Sequence, residues 1–184
     1  MMRRGPVLLL TGPPGAGKST VADLVARRFD RAVCLEADWF WTTIVRGLRP
    51  PWTTEADDQN RTVLTAWATA AAAFADGGYS VVVDGIIGPW HLDLVSAALG
   101  GPECETHYVV LRPPLAVTLA RARSRVPRSA RSAPLTAEEP IRTMWERFAE
   151  LGPYEDHVLD SSDLGPQETA ELVWARLASG SNRL

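Results

Sequence analysis

The run Gly12-Pro13-Pro14-Gly15-Ala16-Gly17-Lys18-Ser19-Thr20 fits the pattern G-x-x-x-x-G-K-[ST]. Its chemistry is anion binding. The glycines let successive backbone N–H groups turn inward around phosphates, and the following helix adds its positive end. Lys18 reaches the outer phosphates, and Ser19 offers a hydroxyl to Mg²⁺. A Gly-Pro turn with an incidental lysine is the bland alternative.

Three acids stand where strands are expected to end. Glu36 and Asp38 form Glu-x-Asp, which in an extended segment points both side chains to one side. A carboxylate there accepts a hydrogen bond from an attacking hydroxyl and orients it, a role assigned to Asp38. Capping of a helix that begins at Trp39 is the competing role for Asp38. Asp84 closes the apolar run Val81-Val82-Val83, the pattern of a carboxylate that holds Mg²⁺ directly or through water, with Glu36 as a further metal candidate. An Asp-Gly turn explains Asp84-Gly85 as well.

Arg121, Arg123, Arg125, Arg128 and Arg131 crowd one helix end and the loop after it. Arginines that close over a migrating phosphoryl group neutralise its charge and exclude water, and Arg121 and Arg125, four apart, share a helix face. A solvated basic face is the alternative. Trp39, Phe40, Trp41, Trp52 and Trp90 all follow strand ends and are expected to wall a pocket for a ring-bearing or amphiphilic small molecule, with Arg46 and Arg49 facing an anionic group on it. Packing of cover helices accounts for any one tryptophan equally well. His91, His107 and His157 lack metal spacing and receive no role.

The elements that must position these groups alternate along the chain. Val7 to Thr11, Arg31 to Leu35, Tyr79 to Asp84, Thr106 to Leu111 and His157 to Asp160 read as strands. Lys18 to Phe29, Glu55 to Asp76, Pro89 to Leu99, Leu115 to Arg125, Ala137 to Leu151 and Pro166 to Leu177 read as helices. Such alternation predicts an α/β fold, a parallel sheet of five strands with helices on both faces. Residues 1–184 are expected to form one domain, with a cover over about 37–60, a small lid over about 125–137 and a loose tail from Ser179. Trp67, Trp145 and Trp174 are assigned to the core.

Composition narrows the function classes. The net charge of −3 has no strongly basic half, which argues against nucleic acid as the main partner. Cys34 and Cys104 sit in apolar stretches and read as reduced, buried thiols. No apolar stretch approaches the roughly 20 residues that span a bilayer, so a soluble, cytoplasmic protein is expected.

The loop Gly12 to Thr20, Glu36-x-Asp38, Val81 to Asp84, Val110-Leu111-Arg112-Pro113 with Leu119-x-Arg121-x-x-x-Arg125, and Asp160-Ser161-Ser162 occur in that order. Together they resemble the small P-loop kinases, within the group of gluconate kinase-like, shikimate kinase-like, chloramphenicol phosphotransferase-like and tunicamycin-resistance-type proteins. The resemblance implies a three-layer P-loop NTPase fold with sheet order 2-3-1-4-5 and transfer of the γ-phosphoryl group of Mg·ATP, or of GTP, to a small-molecule hydroxyl such as that of a sugar acid or an antibiotic. It also implies an acceptor held by Asp38, Glu36 or Asp84 near Mg²⁺, lid arginines Arg121 and Arg125, and Ser161 beside the base. A nucleoside or nucleotide kinase and a nucleotide-dependent switch are the competing readings. Either a monomer or a homodimer is compatible with the sequence.

Overall fold

The computed structural model describes residues 3–124 and 135–184. Uninterrupted apolar runs make strands that are buried on both faces. Strand β1 (Val7–Thr11) is buried at every position and runs at the centre of the sheet. Around it lie β2 (Ala32–Glu36), β3 (Ser80–Asp84), β4 (Thr106–Leu111) and β5 (Val158–Leu159), all parallel, in the order β2-β3-β1-β4-β5. This is the five-stranded sheet and P-loop NTPase-like order expected above.

Alternate strand residues face opposite layers. Val7, Leu9, Val81, Val83 and Val110 pack beneath α3 (Asp57–Asp76) and α4 (Leu92–Leu99), with Trp67 of α3 fully buried among them. Leu8, Leu10, Val82, Val109 and Leu111 pack beneath α1 (Lys18–Ala26) and α7 (Pro166–Ser179). The remaining helices are α2 (Asp38–Thr42), α5 (Leu115–Arg123) and α6 (Glu138–Arg147). Trp145 and Trp174 are only half-buried, at the margins of these layers.

Four expectations need correction. The tail is not loose: Tyr108 N–H donates to the Asn182 carbonyl (2.9 Å), Leu184 N–H donates to the Thr106 carbonyl (2.9 Å), and the Asn182 side chain is buried. Strand β5 is only two residues long, so the other half of the β4 edge offers open backbone groups that the tail pairs. Cys34 is exposed, because β2 is an edge strand, whereas Cys104 is buried. The chain is not extended through Glu36-x-Asp38: Ala37 is already helical (φ −62°, ψ −36°), so the two carboxylates do not share a side by strand alternation. Nor does Asp38 cap a helix starting at Trp39; α2 starts at Asp38 itself, with Ala37 preceding it. The expected lid lies mostly outside the described residues, as do Arg125, Arg128 and Arg131.

Candidate active site

The strand ends on one edge of the sheet deliver the polar residues to one place. Gly12 leaves β1 at φ +137°, and a Cβ there would sit 2.0 Å from the Leu111 carbonyl oxygen of β4. Gly15 (φ +86°) would drive a Cβ to 2.4 Å from the Thr118 carbonyl of α5. Only glycine lets the loop lie this close to its neighbours. Inside the loop, Lys18 Nζ donates to the carbonyls of Gly12 (2.9 Å) and Pro13 (3.0 Å). Helix α1 starts after Gly17 with no capping side chain and no acid in its first turn, so its N-terminal N–H groups and dipole face the loop cavity.

That cavity has a volume of ≈ 420 Å³ and is bounded by residues Gly15 to Val21 of the loop and α1. Its far wall is Arg121, Ser161, Leu164 and Pro166. The Arg121 guanidinium is docked on that wall, donating to the carbonyls of Ser161 (2.9 Å) and Ser162 (3.3 Å). Thus Arg121 and Ser161 meet beside the loop. The Asp160 carboxylate accepts from Ser162 N–H (2.9 Å) and from the Ser162 hydroxyl, which shapes the turn.

A second cavity, ≈ 700 Å³, meets the first at Lys18 and Ser19. Asp38, Trp41, Arg49, Trp52 and Asp84 line it. Asp84 is nine-tenths buried, and among the described residues no group hydrogen-bonds its carboxylate. The helical turn at α2 explains which neighbours enter: Asp38, Trp41 and Thr42 lie three and four apart on one face. Trp39 lies off that face, half-exposed and edge-on to Phe40 at 5.7 Å, and forms no part of the wall. Glu36 sits in register with Asp84 on the neighbouring strand but lines neither cavity, and neither does Arg46.

Several wall residues carried no signal in the sequence. Asn60 of α3 accepts from Trp41 Nε1 (2.9 Å) and donates to the Pro51 carbonyl (2.7 Å), tying two parts of the cover together. Gln59 clamps Arg49 by accepting from its N–H (2.8 Å) and donating to its carbonyl (2.9 Å). From the opposite side come Met144, Arg147 and Phe148, spaced i, i+3, i+4 at the end of α6. Helical spacing was the one clue to that face. Arg112 holds the segment in place, donating to the carbonyls of Phe148 (2.8 Å) and Ala149 (3.0 Å) and pairing in two bonds with Glu155 (2.8 and 3.1 Å). Those bonds from Arg112, with a further one from Leu151 N–H, hold the Glu155 carboxyl below the usual range.

The loop between β3 and α4 completes the wall with Trp90 and His91. It is latched to the sheet through Ile87: the Thr11 hydroxyl accepts from Ile87 N–H (2.7 Å) and donates to its carbonyl (3.1 Å), and Tyr108 Oη donates to that same carbonyl (2.8 Å). Burial pushes the Tyr108 hydroxyl well above its ordinary pKa, so it stays a donor. His91, given no role above, lines the cavity. Burial lowers its pKa, opposed by Asp57 and assisted by Arg61 and Arg147, and so favours the neutral ring.

The family described as AAA domain matches residues 7–151. The chain belongs to that family. No curated protein matches it. Among solved structures, the tunicamycin resistance protein of Deinococcus radiodurans superposes with a TM-score of 0.67 at 20% identity, covering 95% of this chain and 96% of that one. A sugar kinase from Janibacter sp. HTCC2649 gives 0.68 at 23% identity over 96% and 97%. The APS kinase CysC of Mycobacterium tuberculosis, in complex with AMPPNP and APS, gives 0.64 at 21% over 96% and 98%. At these identities the likeness is one of fold, and it bears out the resemblance to the small P-loop kinases. Among the described residues no helix is long and apolar enough to cross a membrane.

Proposed function

We propose that the protein transfers the γ-phosphoryl group of Mg·ATP to a hydroxyl of a small molecule. The observation that carries this reading is the meeting of two cavities at Lys18 and Ser19, one along the phosphate loop and one open to an acceptor. A nucleotide in the first would present its terminal phosphate to the second. Kinases recur among the fold neighbours, one of them in complex with AMPPNP and APS together.

In this scheme the loop N–H groups, the α1 dipole and Lys18 hold the phosphates where charge develops. Asp38 accepts the proton of the acceptor hydroxyl as its oxygen bonds to the γ-phosphorus; the bond from that phosphorus to the β,γ-bridging oxygen breaks, and ADP leaves with the electron pair. Arg121 and Ser161 support the nucleoside end. Arg125 is proposed to close over the transferring group. Trp41, Arg49 and Trp52 are proposed as acceptor contacts.

Among the described residues no group of three or more His, Cys, Asp or Glu is placed to hold a metal ion. The donors present still fit Mg²⁺, which is bound through one or two protein oxygens plus phosphate and water. Ser19 and Asp84 would hold it, because both line the second cavity and Asp84 accepts no competing hydrogen bond from the described residues. Bound there, the ion would neutralise charge on the β- and γ-phosphates. Glu36 is left without a direct place at that site.

The test is consumption of γ-phosphate-labelled ATP with Mg²⁺, comparing water alone with pooled hydroxyl compounds. Label in an organic product establishes the kinase. Tight nucleotide binding with no transfer above the water background in any pool points to a nucleotide-dependent switch.

A further inference from the structure

The acceptor cavity is larger than the phosphate-loop cavity, ≈ 700 against ≈ 420 Å³, and it falls within the roughly 300–1,000 Å³ of pockets for drug-sized ligands. Its size alone does not name an occupant. The state of its polar groups does.

A site built for a sugar acid presents many unpaired donors and acceptors to match the hydroxyls, since each unmatched buried polar group is costly. Here the cover has turned its polar groups on itself. Trp41 Nε1 is bonded to Asn60 and both ends of the Asn60 amide are engaged. The Arg49 backbone is clamped by Gln59, its guanidinium donates to the Glu55 carbonyl (2.6 Å), and the Thr42 hydroxyl donates to the Trp39 carbonyl (2.7 Å). What the cover turns to the space is then mostly indole, proline and leucine surface, and the polar groups of the wall are few: Asp38, Asp84, His91 and Arg147 beside the phosphate-loop residues.

The mouth continues the same surface. Leu48, Trp52 and Trp90 line the cavity yet stay 51%, 38% and 48% exposed. The Arg147 guanidinium lies over the Trp90 ring at 5.6 Å, a contact that helps to hold this indole in the wall. Large apolar groups held open beside a cavity mark a surface that is covered by a ligand.

We infer that the acceptor is a ring-bearing, predominantly apolar alcohol, larger than a single sugar acid, that packs against Trp41, Trp52 and Trp90 and presents its hydroxyl to Asp38. This inference rests on the phosphotransferase reading and names the substrate class of the same site.

The experiment is a calorimetric titration of two probes, 2-(2-naphthyl)ethanol and D-gluconate, into the protein saturated with Mg·AMPPNP. The naphthyl alcohol is expected to bind saturably with a negative heat-capacity change, the mark of apolar burial. Trp52→Ala and Trp90→Ala should each weaken it about tenfold while leaving AMPPNP affinity unchanged, which also shows that the variants fold. Saturable gluconate binding without naphthyl binding overturns the inference. So does absence of naphthyl binding, or naphthyl binding that neither substitution weakens. The kinase reading is judged separately, by label transfer from γ-phosphate-labelled ATP to the same alcohols in parallel samples that hold no AMPPNP. Transfer to sugar acids alone sinks the apolar acceptor and keeps the kinase. Absence of transfer to any alcohol, in a protein that binds the naphthyl probe, sinks the kinase.

Discussion

The two halves of the candidate site are built by different physics. The phosphate side is a contiguous stretch, Gly12 to Thr20, in which backbone N–H groups, a helix end and two side chains do the work, and its neighbours are carbonyls that exclude a Cβ. The acceptor side is assembled from side chains of separated segments, among them α2, the Leu48 to Trp52 cover, α3, the β3–α4 loop, Leu135 and the end of α6. Backbone geometry allows few alternatives, so the first half specifies a general anion. Side-chain walls are free to differ, so under the proposed function the second half is the one that would select the molecule. Lys18 and Ser19, common to both, are where generality and specificity meet.

If that division holds, substitutions should separate cleanly by half. The largest effect is expected for Lys18→Ala: phosphoryl transfer should fall by about 10³-fold, the scale for losing a charge-stabilising donor, while calorimetry still detects the naphthyl alcohol. Loss of acceptor binding as well would show that the halves are not separable. Asp38→Asn should lower kcat by about 10²-fold or more, as for a lost general base, with ATP affinity unchanged by titration. Full retention of kcat removes Asp38 from the proton-accepting role.

Asn60→Leu removes the latch between Trp41 and Pro51 in the wall of the second cavity, away from the phosphate-loop cavity. Acceptor KM should rise about tenfold, equivalent to about 1.4 kcal/mol, with kcat and the KM for ATP steady. A change confined to ATP kinetics contradicts the assignment of this residue to the acceptor half.

The smallest effect concerns His91. Burial holds its folded-state pKa below the ordinary value of 6.5, so the unfolded chain takes up the proton first as pH falls. Stability is therefore lost from about pH 6.5 down to the depressed folded value and no further below it. Glu138 and Glu155, with lowered pKa values, add their own loss only below their ordinary 4.5. The denaturation midpoint should fall less between pH 7.5 and 5.5 in His91→Gln than in the parent. An equal fall in both would trace the acid sensitivity to another group.

Much of the fold was legible because its signals are local. Val7 to Leu10 and Tyr108 to Leu111 are apolar runs, and the strands that hold them, Val7–Thr11 and Thr106–Leu111, have the bounds read from the sequence. The site was legible unevenly. The Asp38, Trp41, Arg49 and Trp52 side chains do gather in one cavity. Trp39 was indistinguishable from Trp41 until the helical phase of α2 was known, since two residues of helix turn a side chain to another face. Glu36 was read through an extended chain that in fact bends into helix at Ala37. His91 had no motif; only the latching of Ile87 to Thr11 and Tyr108 places it.

The sequence by itself determined the phosphate loop and the alternation of strands and helices around it, because positive-φ glycines, apolar strands and helix starts are properties of neighbouring residues. Only the tertiary structure decided which indoles line the second cavity, how Asn60 and Arg112 hold its wall, and that the tail completes the edge of β4. Those outcomes depend on groups brought together across tens of residues, where packing and hydrogen-bond satisfaction, rather than local backbone preference, select the arrangement.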